Sequence, residues 1–140
     1  MQRPVIIVHS FAHARAAVGA ATELSRAVTL ASAPDAGMQS GPAWFSSLIE
    51  QALDAVPGAR ELEMISLLDC GEKPGYVMAA LRHGVKQICY TGSAETLAKL
   101  REIAEQLDAN IITERPQGLD LLGVADARVS CLAWINGGSD

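Results

Sequence analysis

The chain has 140 residues, 49% of them apolar and 19% charged, which suits one globular domain with a proper hydrophobic core. A formal net charge of −5, spread along the chain, argues against nucleic acid or an anionic membrane surface as the main partner. Three widely spaced cysteines, Cys70, Cys89 and Cys131, with no CxxC pair, make neither a disulfide framework nor a structural zinc site and fit a reducing cytosol.

The start, MQRPVIIVHSFAHA, enters a strand at once, without the charged head and long apolar core of a signal peptide, and no apolar run approaches the ~20 residues of a membrane span. A soluble, cytoplasmic protein is therefore expected. Val5 to Val8 are consecutive β-branched residues and predict the first strand. Ser10 is a plausible N-cap for a helix from about 11 to 25, with Ala14, Ala17, Val18, Ala21 and Leu24 on one face. Ala27 to Ala31 is the second strand. The long loop SAPDAGMQSG, 32 to 41, is rich in turn formers, and loops of this length in compact domains often carry function. Pro42 then opens a helix to about 56, with Phe45, Leu48, Ile49, Ala52, Leu53 and Val56 at helical spacing and Pro57-Gly58 as its stop.

Met64 to Leu68 reads as a strand buried on both faces, turning polar abruptly at Asp69-Cys70-Gly71. A short helix follows from Pro74 or Gly75 to Arg82, ended by Gly84. Gln87 to Tyr90 is the fourth strand. Ser93 can cap a helix over 94–107 striped by Leu97, Leu100, Ile103, Ala104 and Leu107, with Lys99–Glu102 and Arg101–Glu105 able to pair along its outer side. Asn110 to Thr113 is the fifth strand. An irregular segment should run through Val124, then a helix capped by Asp126 with Val129, Leu132 and Ala133 inward; a sixth strand over 129–135 competes with it.

Strands alternating with helices imply a single α/β domain over 1–140: a three-layer, doubly wound fold with a five-stranded, mainly parallel sheet of flavodoxin-like or Rossmann-like kind. Two strand orders, 2-1-3-4-5 and 3-2-1-4-5, fit equally. In such a sheet the strand C-termini open on one side, where ligands bind. The residues that fall there are His9, Ser10, Asp35, Asp69, Cys70, Gly71, Thr91, Ser93 and Arg115, with the 32–44 stretch and Trp44 as a lid. A small polar or anionic ligand is the expected partner.

Each candidate has a structural alternative. Asp69 can meet a ligand or serve as a base, or simply cap the loop after it. Cys70 can be a nucleophile at a helix start, or a buried structural thiol. His9 and His13 are four apart, like half a metal site, but lack the intervening glutamate of a zincin and suit a polar lining instead. Gly71 belongs to loops able to cradle an anion, yet neither GxGxxG after the first strand nor GxxxxGK[ST] occurs. Arg115 can meet a phosphate or carboxylate, or pair with Glu114 or Asp120. Phe45 takes the buried stripe, which leaves Trp44, like Trp134, for a cleft roof, a partner surface or the core.

VIIVHS, SAPDAG…GPAWF, LLDCGEKPG and YTGSAE together resemble a group of small uncharacterised bacterial α/β proteins, a resemblance that covers most of the chain and implies no activity. LLD at the third strand, Thr91 after the fourth and Arg115-Pro116 after the fifth resemble response-regulator receiver domains. That resemblance implies Asp69 as phosphoacceptor, Thr91 as switch residue and Arg115 in the place of the receiver's lysine. His9-Ser10 stands where a receiver carries its acidic metal-binding pair, which puts phosphorylation chemistry in doubt. The expectation is thus a metabolite-binding protein or small enzyme with an unnamed cofactor and reaction, or else a non-catalytic interaction module of receiver-like architecture. A homodimer is the default assembly on symmetry grounds.

Overall fold

The computed structural model describes residues 3–34 and 41–137. Asp35 and the centre of the expected lid lie outside the described residues. In chain order these form β1 (Val5–Ile7), α1 (Phe11–Glu23), β2 (Thr29–Ala31), α2 (Pro42–Ala55), a short 3-10 turn at Ala59–Glu61, β3 (Ile65–Asp69), α3 (Pro74–Arg82), β4 (Gln87–Cys89), α4 (Ala94–Gln106), β5 (Asn110–Ile112), β6 (Leu119–Asp120) and α5 (Ala127–Ile135). The α/β class with a parallel sheet is as expected.

Two features correct the expectation. The sheet has six strands, and its order is β5-β4-β3-β2-β1-β6 rather than either order anticipated. Successive strands from β1 to β5 are neighbours, and the order reverses at β1, whose other neighbour is β6. The sixth strand lies inside the segment expected to be irregular, and the stretch 129–135 that competed for the role is helical. Periodicity marks an element but carries no information about which strand lies beside it. A two-residue strand is also too short to show alternation.

The chain divides into two compact units: residues 1–31, 47–66 and 117–140, and residues 32–46 and 67–116. In the first, β1 pairs in parallel with β2, Val5 opposite Thr29, and with β6, Ile7 opposite Asp120. Gly118 makes the second pairing possible. A Cβ there would sit 2.8 Å from Val5 Cγ1 and 2.9 Å from Val5 O, closer than side-chain carbons come. Ala14, Ala17, Val18, Ala20 and Ala21 of α1 are buried. Such small side chains permit a close helix neighbour, and α5 takes that place. Arg128 lies over Gly19 and pairs with Glu23, while Arg26 Nη1 donates to Ile135 O at 2.6 Å at the end of α5. The face of α5 differs from expectation. Cys131 and Ile135, four apart, are buried, Leu132 is half-buried, and Val129 and Ala133 are exposed. The run VSCLAWI is apolar all round, so its pattern points nowhere in particular.

In the second unit β4 pairs in parallel with β3, Asp69 opposite Cys89, and with β5, Ile88 opposite Ile111. Ser93 caps α4 as expected, its Oγ accepting the Thr96 N–H, and Leu100 and Ala104 are buried. Lys86 Nζ donates to Leu107 O at 2.6 Å just beyond that helix, which puts a cation at the negative end of its dipole. Asn110 N–H donates to Lys86 O and Ile112 O accepts from Tyr90, so the peptide groups of Ile111 face away from β4. Because β5 is an edge strand, they point out of the sheet. Arg101 meets that carbonyl, Nη2 to Ile111 O at 3.0 Å, in place of the expected pair with Glu105.

Candidate functional site

Strand ends in each unit gather polar side chains, and each cluster is described within its own unit. In the second, Asp69 ends β3 and is 2% exposed. A carboxylate this deep needs partners for its oxygens. Gly71 N–H donates to Oδ1 at 2.9 Å, Arg115 Nη2 donates to the same oxygen at 3.2 Å, and Arg115 Nε donates to Oδ2. Arg115 therefore grips Asp69 with two nitrogens, the strong arrangement for a guanidinium and a carboxylate. Where the sequence suggested Glu114 or Asp120 for Arg115, the structure gives it Asp69, 46 positions earlier, a pairing that no local pattern encodes. The Arg115 side chain is 43% exposed against 4% for Asp69, so the acid is sealed and the cation remains at the surface.

Around this pair the chain is tied by its backbone. Asp69 N–H donates to Ser32 Oγ at 2.9 Å, and Ser32 is itself buried. Gly71 adopts φ 58, the left-handed conformation that lets its N–H turn back to Asp69, and its carbonyl accepts from Thr91 N–H at 2.8 Å. Asp69 thus does what its structural alternative required, capping the loop after β3, while also holding Arg115. Cys70 is fully buried, which suits a structural thiol. Burial pushes the Cys89 thiol up to about 11, with Asp69 adding to the shift and Arg115 opposing it; burial alone takes Cys131 to about 11. Ser93 is spent on its helix cap, and Trp44 is half-buried, tilted against the buried Phe45.

In the first unit, the cluster lies at the ends of β1 and β6. Ser10 caps α1, its Oγ accepting His13 N–H at 3.2 Å, and His13 Nδ1 reaches back to accept His9 N–H at 3.1 Å. This is a reciprocal cap like a capping box, with histidine in the glutamate's place. His9 Nε2 and Asp120 Oδ1 are 2.6 Å apart, and Asp120 Oδ1 also accepts Leu122 N–H at 2.9 Å. Burial works against the Asp120 carboxylate, but the Leu122 N–H and the bond and charge of His9 outweigh it and bring its pKa below the ordinary value. Burial lowers the pKa of His13, and the neighbouring His9 lowers it further. Asp120 and His13 are the residues that sequence reasoning left out of the site. The signals were present: a lone acid inside GLDLLG, and a histidine three residues after a capping serine.

Among the described residues, no group of three or more His, Cys, Asp or Glu is placed to hold a metal ion, and no helix is long and apolar enough to cross a membrane. Two surface hollows lie elsewhere than either cluster. One of about 340 Å³ is lined by Arg15, Gly19, Thr22, Glu23 and Arg128 among others. The other, about 470 Å³, sits at the start of α3 against Glu72, Lys73, Pro74, Gly75, Tyr76 and Ala79.

No protein-family model and no curated protein matches the sequence. Among solved structures the chain is similar to a candidate fructose-1,6-biphosphate aldolase from Coccidioides immitis, at a TM-score of 0.63 and 14% identity. The match covers 93% of this chain and 52% of the other, so this chain spans about half the length of its structural neighbour. At that identity the likeness concerns the fold alone, an α/β fold with a parallel sheet.

Proposed function

We propose that the chain is a small-molecule-binding α/β protein whose ligand is polar and anionic and is met by Arg115 at the strand ends of the second unit. One observation carries this reading: the two-nitrogen grip between Arg115 and Asp69, with the carboxylate sealed and the guanidinium 43% exposed. A guanidinium held rigid by a buried acid and still 43% exposed is prearranged for an anion. Under the receiver resemblance Asp69 would instead accept a phosphoryl group, and Arg115 would have to move aside first.

The test is a thermal-shift screen against phosphates, sugar phosphates, nucleotides and carboxylates. A ligand at 100 times its Kd should add about 2.7 kcal/mol of stability. The expected result is a shift in the wild type that is absent from a folded Arg115→Gln variant. No shift with any compound would sink the ligand reading.

A second reading, an interaction module, draws on Leu122 and Val129, which are 69% and 59% exposed in the first unit. It moves the expected partner surface away from Trp44 and Trp134, both half-buried, and onto the start of α5 at Val129 and the turn before the helix at Leu122. Sedimentation of the wild type beside Val129→Asp tests it. A dimer that becomes a monomer in the variant supports the module, and identical behaviour removes its basis.

A further inference from the structure

The cluster of His9, His13 and Asp120 contains more chemistry than a helix cap requires. Asp120, with its pKa below the usual carboxylate value, is ionised at neutral pH and can only accept. The 2.6 Å contact therefore fixes a proton on His9 Nε2 and leaves a lone pair on His9 Nδ1. His13 Nδ1 already accepts the His9 backbone N–H, so the neutral His13 ring carries its proton on Nε2. The two rings meet edge to face with centroids 5.8 Å apart. A carboxylate-backed base thus stands beside a neutral imidazole donor, so one ring can take a proton while the other donates a hydrogen bond. The cluster also occupies the ends of β1 and β6, where the strand order reverses, and in open α/β sheets that reversal is where the ligand crevice forms.

We propose that His9 and His13 form an acid–base pair that enolises a small carbonyl compound. His9 Nδ1 takes the proton from the carbon beside the carbonyl. The electron pair of that C–H bond becomes the C=C bond of the enolate, and the carbonyl π pair moves onto oxygen, where His13 Nε2–H donates to it. The imidazolium formed on His9 is balanced by Asp120, a positioning residue, and the proton returns to the same carbon. Nothing is consumed, so the signature is exchange of that hydrogen with solvent. The proposal stands apart from the anion reading at Arg115, since its readout needs neither Asp69 nor Arg115.

The experiment follows loss of C–H signal by proton NMR in D₂O for pyruvate, hydroxypyruvate, hydroxyacetone and dihydroxyacetone, with the intact protein. At least one should exchange ten-fold or more above buffer. His9→Gln should return it to the buffer rate, and Asp120→Asn should remove most of the excess over that rate, by roughly ten-fold where the excess is large enough to read. Nitrogen-15 spectra should show His9 protonated at Nε2 in the wild type and as a tautomer mixture in Asp120→Asn, a change that a merely structural carboxylate would not produce. Asp120→Asn alters a half-exposed side chain, so it keeps the test open if His9→Gln does not fold. Exchange no faster than buffer for all four compounds, exchange that survives His9→Gln, or a proton found on His9 Nδ1 would each overturn the proposal.

Discussion

The two clusters use similar ingredients, a carboxylate at a strand end and a nitrogen donor beside it, but with burial reversed. At β3 the acid is sealed, 4% exposed, and its arginine partner is 43% exposed. At β6 the acid is 51% exposed and the histidine partner 21%. A permanent cation can be left at a surface to meet an anion, because it never loses its charge. A group that must gain and lose a proton is better withdrawn, with its counter-charge kept where water reduces the cost of ionisation. If the two proposals hold, burial is what would separate a binding role from a proton-transfer role in pairs of such similar make-up.

Four measurements bear on that contrast, in descending order of effect. Asp69→Ala removes three hydrogen bonds from a sealed position and strands the partners that made them. It should cost about 2–3 kcal/mol in urea unfolding, and a loss under about 1 would show that the β3 pair is not the anchor described. Gly118→Ala drives a Cβ against Val5 in the strand that carries Asp120's neighbours. A loss of about 1–3 kcal/mol is expected, with the His9 ring signals shifting together with it. Asp120→Ala, at a half-exposed pair, should cost only about 0.5–1 kcal/mol, and equal costs at Asp69 and Asp120 would erase the comparison.

The smallest effect is a dependence on pH. The pKa of His13 is lower in the fold than its ordinary 6.5, so on acidification the unfolded chain takes this proton first. The stability concerned is complete above 6.5 and is lost as pH falls through the folded value. Asp120 behaves likewise below 3.8. A stability–pH curve should therefore fall in two steps, and His13→Gln should abolish the upper one alone.

Much of the fold could be read from sequence because its determinants are local. Ser10, Ser93 and Asp126 each cap the helix they were expected to cap, and Phe45 lies in the buried stripe of α2. Asp69 was identifiable as the abrupt end of an apolar run. What escaped was encoded by distance. Arg115 finds Asp69 across 46 residues and His9 finds Asp120 across 111, and neither spacing leaves a trace in composition or period. The strand that brings Asp120 in has only two residues, and its marker is one glycine whose missing Cβ makes room for Val5.

Arg101 has a consequence for growth of the sheet beyond a single molecule. A parallel sheet that ends in a short apolar strand such as Asn110–Ile112 offers a template on which another chain's strand can add. The guanidinium on Ile111 O occupies the acceptor that an incoming strand would need first. Any added strand must evict a charged group and leave it without that bond, so lengthening of the sheet at this edge is opposed at its first step. Arg101→Ala would leave the monomer nearly as stable yet give it an open seam, and fibril formation under mild heating, rather than melting temperature, is where its absence would be felt.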